Sequence, residues 1–383
     1  MKNIRLRAQP TNQKSDCWTT ALRGTAPIWA LGWFTVTLAF VLQAHMLPSR
    51  TNPSTPQGLQ AWDLEHYLAL ARSWYAPSTT YDEAFMPGLP ALIRTVGFLF
   101  GGRLTVAAVL IGAVSSFGAG TLLWRWVASR TSAVSPRQAV ALLLLNPMAT
   151  FLYVPYTESL LLVCVLAALL AADRDRWLLV GGCVAAAVLV RVTGLSLLLA
   201  VAVILAQRVH RDGMSRRAGS WAVMALGPAV AAWVGWMSYL RAQFGTWTAQ
   251  VDAWRLGWGR TPVDPFSALL GTIRRAETHP LLEMKMYLVM EAVALLVGLA
   301  AAVCLARQRD WPMTAYVGSA FALLSTSSYY GSCLRALLVM PPIIVLAAGA
   351  AARWGAGART AAVSVPLLLT HALFFFDGAV FLG

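Results

Sequence analysis

The feature that most constrains this chain is a succession of apolar blocks, each long enough to lie in hydrocarbon and separated by links rich in arginine. The blocks run at 26–47, 104–126, 139–153, 156–172, 177–190, 194–209, 219–240, 286–306, 312–328, 333–350 and 357–377. Lipid offers no partner for a free backbone N–H or C=O, so a series of apolar blocks of this kind folds as helices that satisfy their own hydrogen bonds. The expected class is an all-α polytopic membrane protein with about eleven spans. Several blocks are shorter than the ~20 residues of a straight crossing. The stretch 139–172 reads either as two helices or as one broken element. Only 12% of residues are charged and 58% are hydrophobic, against roughly 25% charged in a soluble domain. A water-soluble globule, a disordered chain and a collagen-like fibre are thereby excluded.

The net charge of +14 is read by location. With the N-terminus inside and eleven spans, the inside links include Arg125, Arg130, Arg137, the DRDR turn at 173–176, Arg208, Arg211, Arg216, Arg217, Arg307, Arg309, Arg353 and Arg359. That set holds most of the 30 Lys and Arg and few of the 16 Asp and Glu. The bias follows the positive-inside rule, so the basic excess reads as topology and not as a nucleic-acid footprint. Residues 1–25 are expected to form a basic cytoplasmic head on a retained anchor, and 378–383 an outer tail. The five cysteines (Cys17, Cys164, Cys183, Cys304 and Cys333) have no paired spacing, so neither a disulfide framework nor a zinc site is expected.

Two long outer loops, about 48–103 and 241–285, carry the chemistry of the chain. The first contains AWDLEHYLALARSWY, where Asp63, His66 and Tyr67 share a helical face beside Trp62 and Glu65. Asp63 suits either a helix N-cap or a general base whose pKa is raised near the membrane. YDEAFMPGLPALIR follows, and its Asp82 and Glu83 read as turn acids before a rigid interfacial piece at Pro87 and Pro90.

Further along, Asn146-Pro147 breaks the third span, and Tyr156, Thr157 and Glu158 open the fourth. Glu158 fits a first-turn acid, but an ionisable group just inside an apolar block defaults to a paired or functional role. Arg191, in AAAVLVRVTGLSLLL, and Arg335, in SSYYGSCLRALLVMPP below Tyr329 and Tyr330, have the same character. Each fits a snorkelling arginine or a guanidinium fork for a phosphate. The second loop adds Trp247, Gln250, Asp252, Trp254, Arg255 and Trp258, a composition suited to carbohydrate, to lipid headgroups or to membrane anchoring. His279 and Glu283 are four apart but lack a third ligand. No Walker A loop, dinucleotide fingerprint or zincin motif is present. Group transfer on the outer face then needs a donor activated as a lipid phosphate. No cofactor is assigned, and a divalent metal is left open.

Several stretches together resemble a family. WDLEHYLALARSWY at 62–75 is similar to a WD-x-x-HY segment, with FMPGLP at 85–90 after it. NPMATFLYVPYTESLLL at 146–162 and LVRVTGLSLLL at 189–199 follow in order, then the weaker FGTWTAQVDAW at 244–254 and LRALLVMPPIIVLAA at 334–348. In order and spacing they resemble the bacterial branch of the GPI mannosyltransferase II type, membrane enzymes of the C-superfamily of multispanning glycosyltransferases (GT-C). The resemblance implies a GT-C-like transmembrane domain over 26–377 and a polyprenyl-phosphate sugar donor, most often mannose. It implies inverting transfer to a glycan, glycolipid or protein at the extracytoplasmic face of the cell membrane, with Asp63 as base. Arg191 and Arg335 would meet the donor phosphate, and His66 and Glu158 would assist. Tyr67, Tyr156, Tyr330, Gln250 and Trp254 would contact donor or sugar. FMPGLP lacks the second Phe and the Tyr of the family pattern, and VRVTG replaces RSNG. Three alternatives stay open: a transporter or flippase for a lipid-linked sugar, a transferase using another polyprenyl-phosphate sugar, and a non-catalytic member serving as a partner subunit.

Overall fold

Asn146, Pro147 and Pro155 interrupt one of the apolar stretches of this chain, whereas Pro27, Pro228 and Pro366 lie inside continuous helices. The computed structural model describes residues 18–46, 63–76, 80–213, 215–353 and 357–377. Most of the basic head, the opening of the first loop with Trp62, and the tail at 378–383 lie outside the described residues. In order, the helices are α1 (Trp18–His45), α2 (Asp63–Ser73), α3 (Gly88–Leu99), α4 (Leu104–Arg130), α5 (Pro136–Leu144), α6 (Thr150–Tyr153), α7 (Thr157–Ala172), α8 (Trp177–Val190) and α9 (Gly194–Asp212). They continue with α10 (Arg216–Phe244), α11 (Ala249–Trp258), α12 (Pro265–Thr278), α13 (Leu282–Arg307), α14 (Trp311–Leu324), α15 (Cys333–Leu338), α16 (Pro341–Arg353) and α17 (Gly357–Phe376). Among the described residues there is no sheet; a single β-bridge joins Pro262 to Ser327.

The span count differs from the sequence expectation. Among the described residues, five helices are long and apolar enough to cross a membrane: Trp18–His45, Leu104–Arg130, Gly194–Arg211, Gly219–Phe244 and Leu282–Arg307. A sixth is reached if Pro147–Tyr153 and Thr157–Ala172, bent by 85°, count as one span. The eleven-span GT-C-like architecture is therefore not what this chain forms. The reason is length. At about 1.5 Å per residue, the 14-residue α8 and α14 and the 13-residue α16 fall short of a full crossing. Apolar composition alone had made each look like a span. The block 333–350 is cut before Pro341 into α15 and α16. With several helices of spanning length, the chain is a multi-pass membrane protein associated with the bilayer through its apolar helices.

The break inside 139–172 is stabilised by one side chain. Pro147 lacks an N–H, and the turn that it forces leaves backbone groups without helical partners. Asn146 Nδ2 donates to the carbonyls of Leu142 (3.0 Å) and Leu143 (2.7 Å), while its Oδ1 accepts from Met148 N (2.9 Å). The end of α5 and the start of the following turn are thus satisfied without water. Pro155 then separates α6 from α7.

Helix α7 is apolar all round and almost wholly buried, as expected of a central helix. It packs against α4 and α8, and α8 is covered in turn by α10. On the other side α14 lies between α9 and α13, and α1 packs on α4 and α17. The first turn of α7 therefore reaches a meeting point of several elements, and Glu158 sits in that turn.

Candidate functional site

Arg335 is held in position by other helices. It lies on the six-residue α15, too short to be stable by itself. Glu291 of α13, fully buried, accepts from the otherwise orphan N–H groups of Cys333 (2.5 Å) and Leu334 (3.3 Å) at the start of α15. At the other end, Tyr316 of α14 donates its hydroxyl to the Val339 carbonyl (2.9 Å). The Arg335 guanidinium then packs over the rings of Phe151 and Tyr156, each 4.9 Å from its Cζ.

From there Arg335 joins two carboxylates. Its Nε donates to Glu158 Oε1 at 2.6 Å and its Nη1 to Asp63 Oδ2 at 2.9 Å. Arg191 Nη1 donates to the same Glu158 Oε1 at 2.7 Å and to Thr157 Oγ1 at 2.9 Å. Arg191 is delivered by the tight turn between α8 and α9. There Gly194 lies so close to the Ala187 carbonyl that a Cβ would collide with it. Glu158 thus binds both arginines from below, and its side chain is inaccessible to solvent.

Above this cluster opens a cavity of about 400 Å³. Asp63 and Tyr67 of α2 line it, with Phe85, Met86, Thr157, the turn residues 190–193, Trp254 and Trp258 of α11, Arg260, Leu323, Leu324, Thr326, Ser327, Gly331, Ser332 and Arg335. The bridge between Pro262 and Ser327 closes one wall, supported by Val263 N to Thr326 O (2.8 Å) and Ser328 N to Thr261 O (2.9 Å). Gly331 gives Arg260 its room, because a Cβ there would meet the Arg260 guanidinium. Arg260 lies over the ring of Tyr329 at 5.1 Å. Three guanidinium groups (Arg191, Arg260 and Arg335) therefore face the cavity against one carboxylate, Asp63, with Glu158 beneath. Formal charge at the site favours an anion. Burial, reinforced by the Asp63 carboxylate, pushes the Tyr67 hydroxyl well above its ordinary range, so it stays a neutral hydrogen-bond donor.

The sequence-selected residues thus divide. Asp63, Tyr67, Arg191, Trp254 and Arg335 line the cavity. Glu158 and Tyr156 are buried against Arg335 beneath it. His66, Gln250 and Tyr330 do not line it. His66 Nδ1 pairs with Asp82 Oδ1 at 2.7 Å, and its ring stacks on Phe85 at 4.6 Å. Gln250 Nε2 donates to the Ala84 carbonyl (3.3 Å), as does Trp254 Nε1 (3.2 Å), which ties α11 to the turn at 82–84. Tyr330 donates its hydroxyl to the Pro265 carbonyl at 3.3 Å. Two participants were missed in the sequence. Glu291 had a signal, a lone acid in the apolar run MYLVMEAVALL. Arg260 had none, being one arginine among many in a polar loop. Among the described residues no group of three or more His, Cys, Asp or Glu is arranged to hold a metal ion. No family model matches the chain, and neither does any curated protein or solved structure.

Proposed function

We propose that this chain is a membrane glycosyltransferase that moves a sugar, most simply mannose, from a polyprenyl-phosphate donor to an acceptor at the extracytoplasmic face. The observation that carries the reading is the sharing of one cavity wall by the Asp63 carboxylate and the guanidinium groups of Arg191, Arg260 and Arg335. The stretches behind the resemblance to the GPI mannosyltransferase II type contribute Asp63, Glu158, Arg191 and Arg335 to this one cluster.

The chemistry follows from the charges. A donor phosphate reaching Arg335 Nη1 competes with Asp63 for that donor group and frees the carboxylate. The acceptor hydroxyl attacks the anomeric carbon while its proton passes to Asp63. The bond from the anomeric carbon to the phosphate oxygen breaks, and the electron pair leaves on the lipid phosphate. Arg191, Arg260 and Arg335 stabilise the added negative charge. Attack opposite the leaving group inverts the configuration. Phe85, Trp254 and Trp258 supply apolar faces suited to a sugar ring or the first isoprene units.

One observation favours a second reading. The 85° bend between the two helices around Pro155 puts broken backbone beside the charged cluster, a feature of transporters. The two readings separate in liposomes that contain the purified chain and polyprenyl-phosphate mannose carrying a labelled sugar. A transferase gives free polyprenyl phosphate and a labelled acceptor. A flippase moves the intact donor between leaflets without cleaving it.

A further inference from the structure

A second cavity lies at the opposite end of the bundle. Helix α9 starts beside Thr193 at the first cavity and ends at His210 and Arg211 in the second, and α14 runs the reverse course from Trp311 to Leu324. Along α9 the first cavity reaches Thr193 and the second begins at Val203, so the two are separated by about 15 Å of helix. The second cavity is the larger, about 870 Å³.

Its lining includes Arg130, Arg208, Arg211 and Arg309, with Asp173 and Asp310. The acids are engaged. Asp173 Oδ1 accepts from Arg130 at 2.8 Å, and Asp310 accepts from Met313 N at the start of α14. Arg208 pairs with Asp175 and donates to the Ala172 carbonyl. Arg211 reaches only the Gln207 carbonyl of its own helix (3.2 Å). Among the described residues no acid partners Arg211 or Arg309, and both are exposed. Beside them Ile204 and the half-exposed Trp311 form an apolar wall.

We infer that this cavity binds the phosphate group of an anionic lipid, with Arg211 and Arg309 on the phosphate oxygens and the acyl chain along Ile204 and Trp311. A guanidinium pair selects phosphate, and an apolar wall between helices selects the lipid form over a soluble ester. The site is independent of the proposed transfer reaction.

The test uses the full chain in phosphatidylcholine nanodiscs, with and without phosphatidic acid, and reads retained phosphatidic acid by native mass spectrometry alongside the thermal midpoint. The wild type retains the lipid and gains stability. The double variant Arg211→Gln/Arg309→Gln, altered only at exposed side chains, binds about tenfold more weakly. Arg176→Gln, exposed at the same end but outside the cavity lining, binds as the wild type does. Glycerol 3-phosphate in solution gives no comparable gain. Wild-type retention by the double variant, an equal loss in Arg176→Gln, or an equal gain from the soluble ester overturns the assignment.

Discussion

Arg335 and Glu158, 177 positions apart in the sequence, meet through a 2.6 Å hydrogen bond from the guanidinium Nε to carboxylate Oε1, and both side chains are buried. Because Glu158 also binds Arg191 and Arg335 also binds Asp63, the four form one chain of charge. Removing Glu158 takes the carboxylate from Arg191 and leaves the buried Arg335 with Asp63 as its one remaining acid in the cluster. Glu158→Ala is expected to cost about 3–5 kcal/mol of stability. Arg335→Lys is expected to cost less but still lower the midpoint, since an ammonium cannot aim one donor at Glu158 and another at Asp63 in the same fixed plane. Thermal unfolding in detergent measures both, and wild-type midpoints would remove the cluster from the account of stability.

Asn146 makes a sharper case, because one amide serves both sides of a helix break. Asn146→Ala strands the carbonyls of Leu142 and Leu143 and the N–H of Met148, at a cost of about 1–3 kcal/mol or more. Hydrogen exchange is expected to rise at residues 142–148 first. Uniform exchange across α5 to α7 would contradict the capping role.

The charged cluster was legible in the sequence for a physical reason, while the span count was not. Glu158, Arg191 and Arg335 stand out because a charge within or at the end of an apolar run is costly and needs a partner. Asp63 stood out through its place at the head of an amphipathic helix. Composition cannot tell a full crossing from an apolar helix of 14 residues, such as α8 or α14, so apolar blocks were over-read as spans. Aromatic and amide residues such as Gln250 and Tyr330 carry no such signal, and their partners, Ala84 and Pro265, are set only by the tertiary fold. His66 was grouped with Asp63 by helical spacing, and the side chain that meets its Nδ1 is Asp82 from the turn at 82–84.

Glu291 provides the next expectation. Its carboxylate holds the start of α15 from another helix, so Glu291→Gln weakens the support of Arg335 without touching the cavity. We expect weaker donor binding with little change in expression level. An unchanged dissociation constant for polyprenyl-phosphate mannose would separate Glu291 from the site.

Glu83 gives a pH dependence outside the spans. Burial lifts its carboxyl above the ordinary value, and its Oε2 is buried without a hydrogen-bond partner. The folded pKa exceeds the unfolded one, so the contribution to stability is present below the unfolded value and is lost as pH rises through the folded value. Stability of the wild type is therefore expected to fall over that window relative to Glu83→Gln. Parallel pH profiles of the two proteins would contradict this.

The most direct test of the transfer account is Asp63→Asn in a purified assay with polyprenyl-phosphate mannose and a membrane-extract acceptor. The account predicts a loss of about 10²–10⁴-fold in kcat. Donor affinity should be kept or strengthened, because neutralising residue 63 removes the competitor for Arg335 Nη1. An Asp63→Asn protein that folds and transfers sugar at the wild-type rate would contradict it.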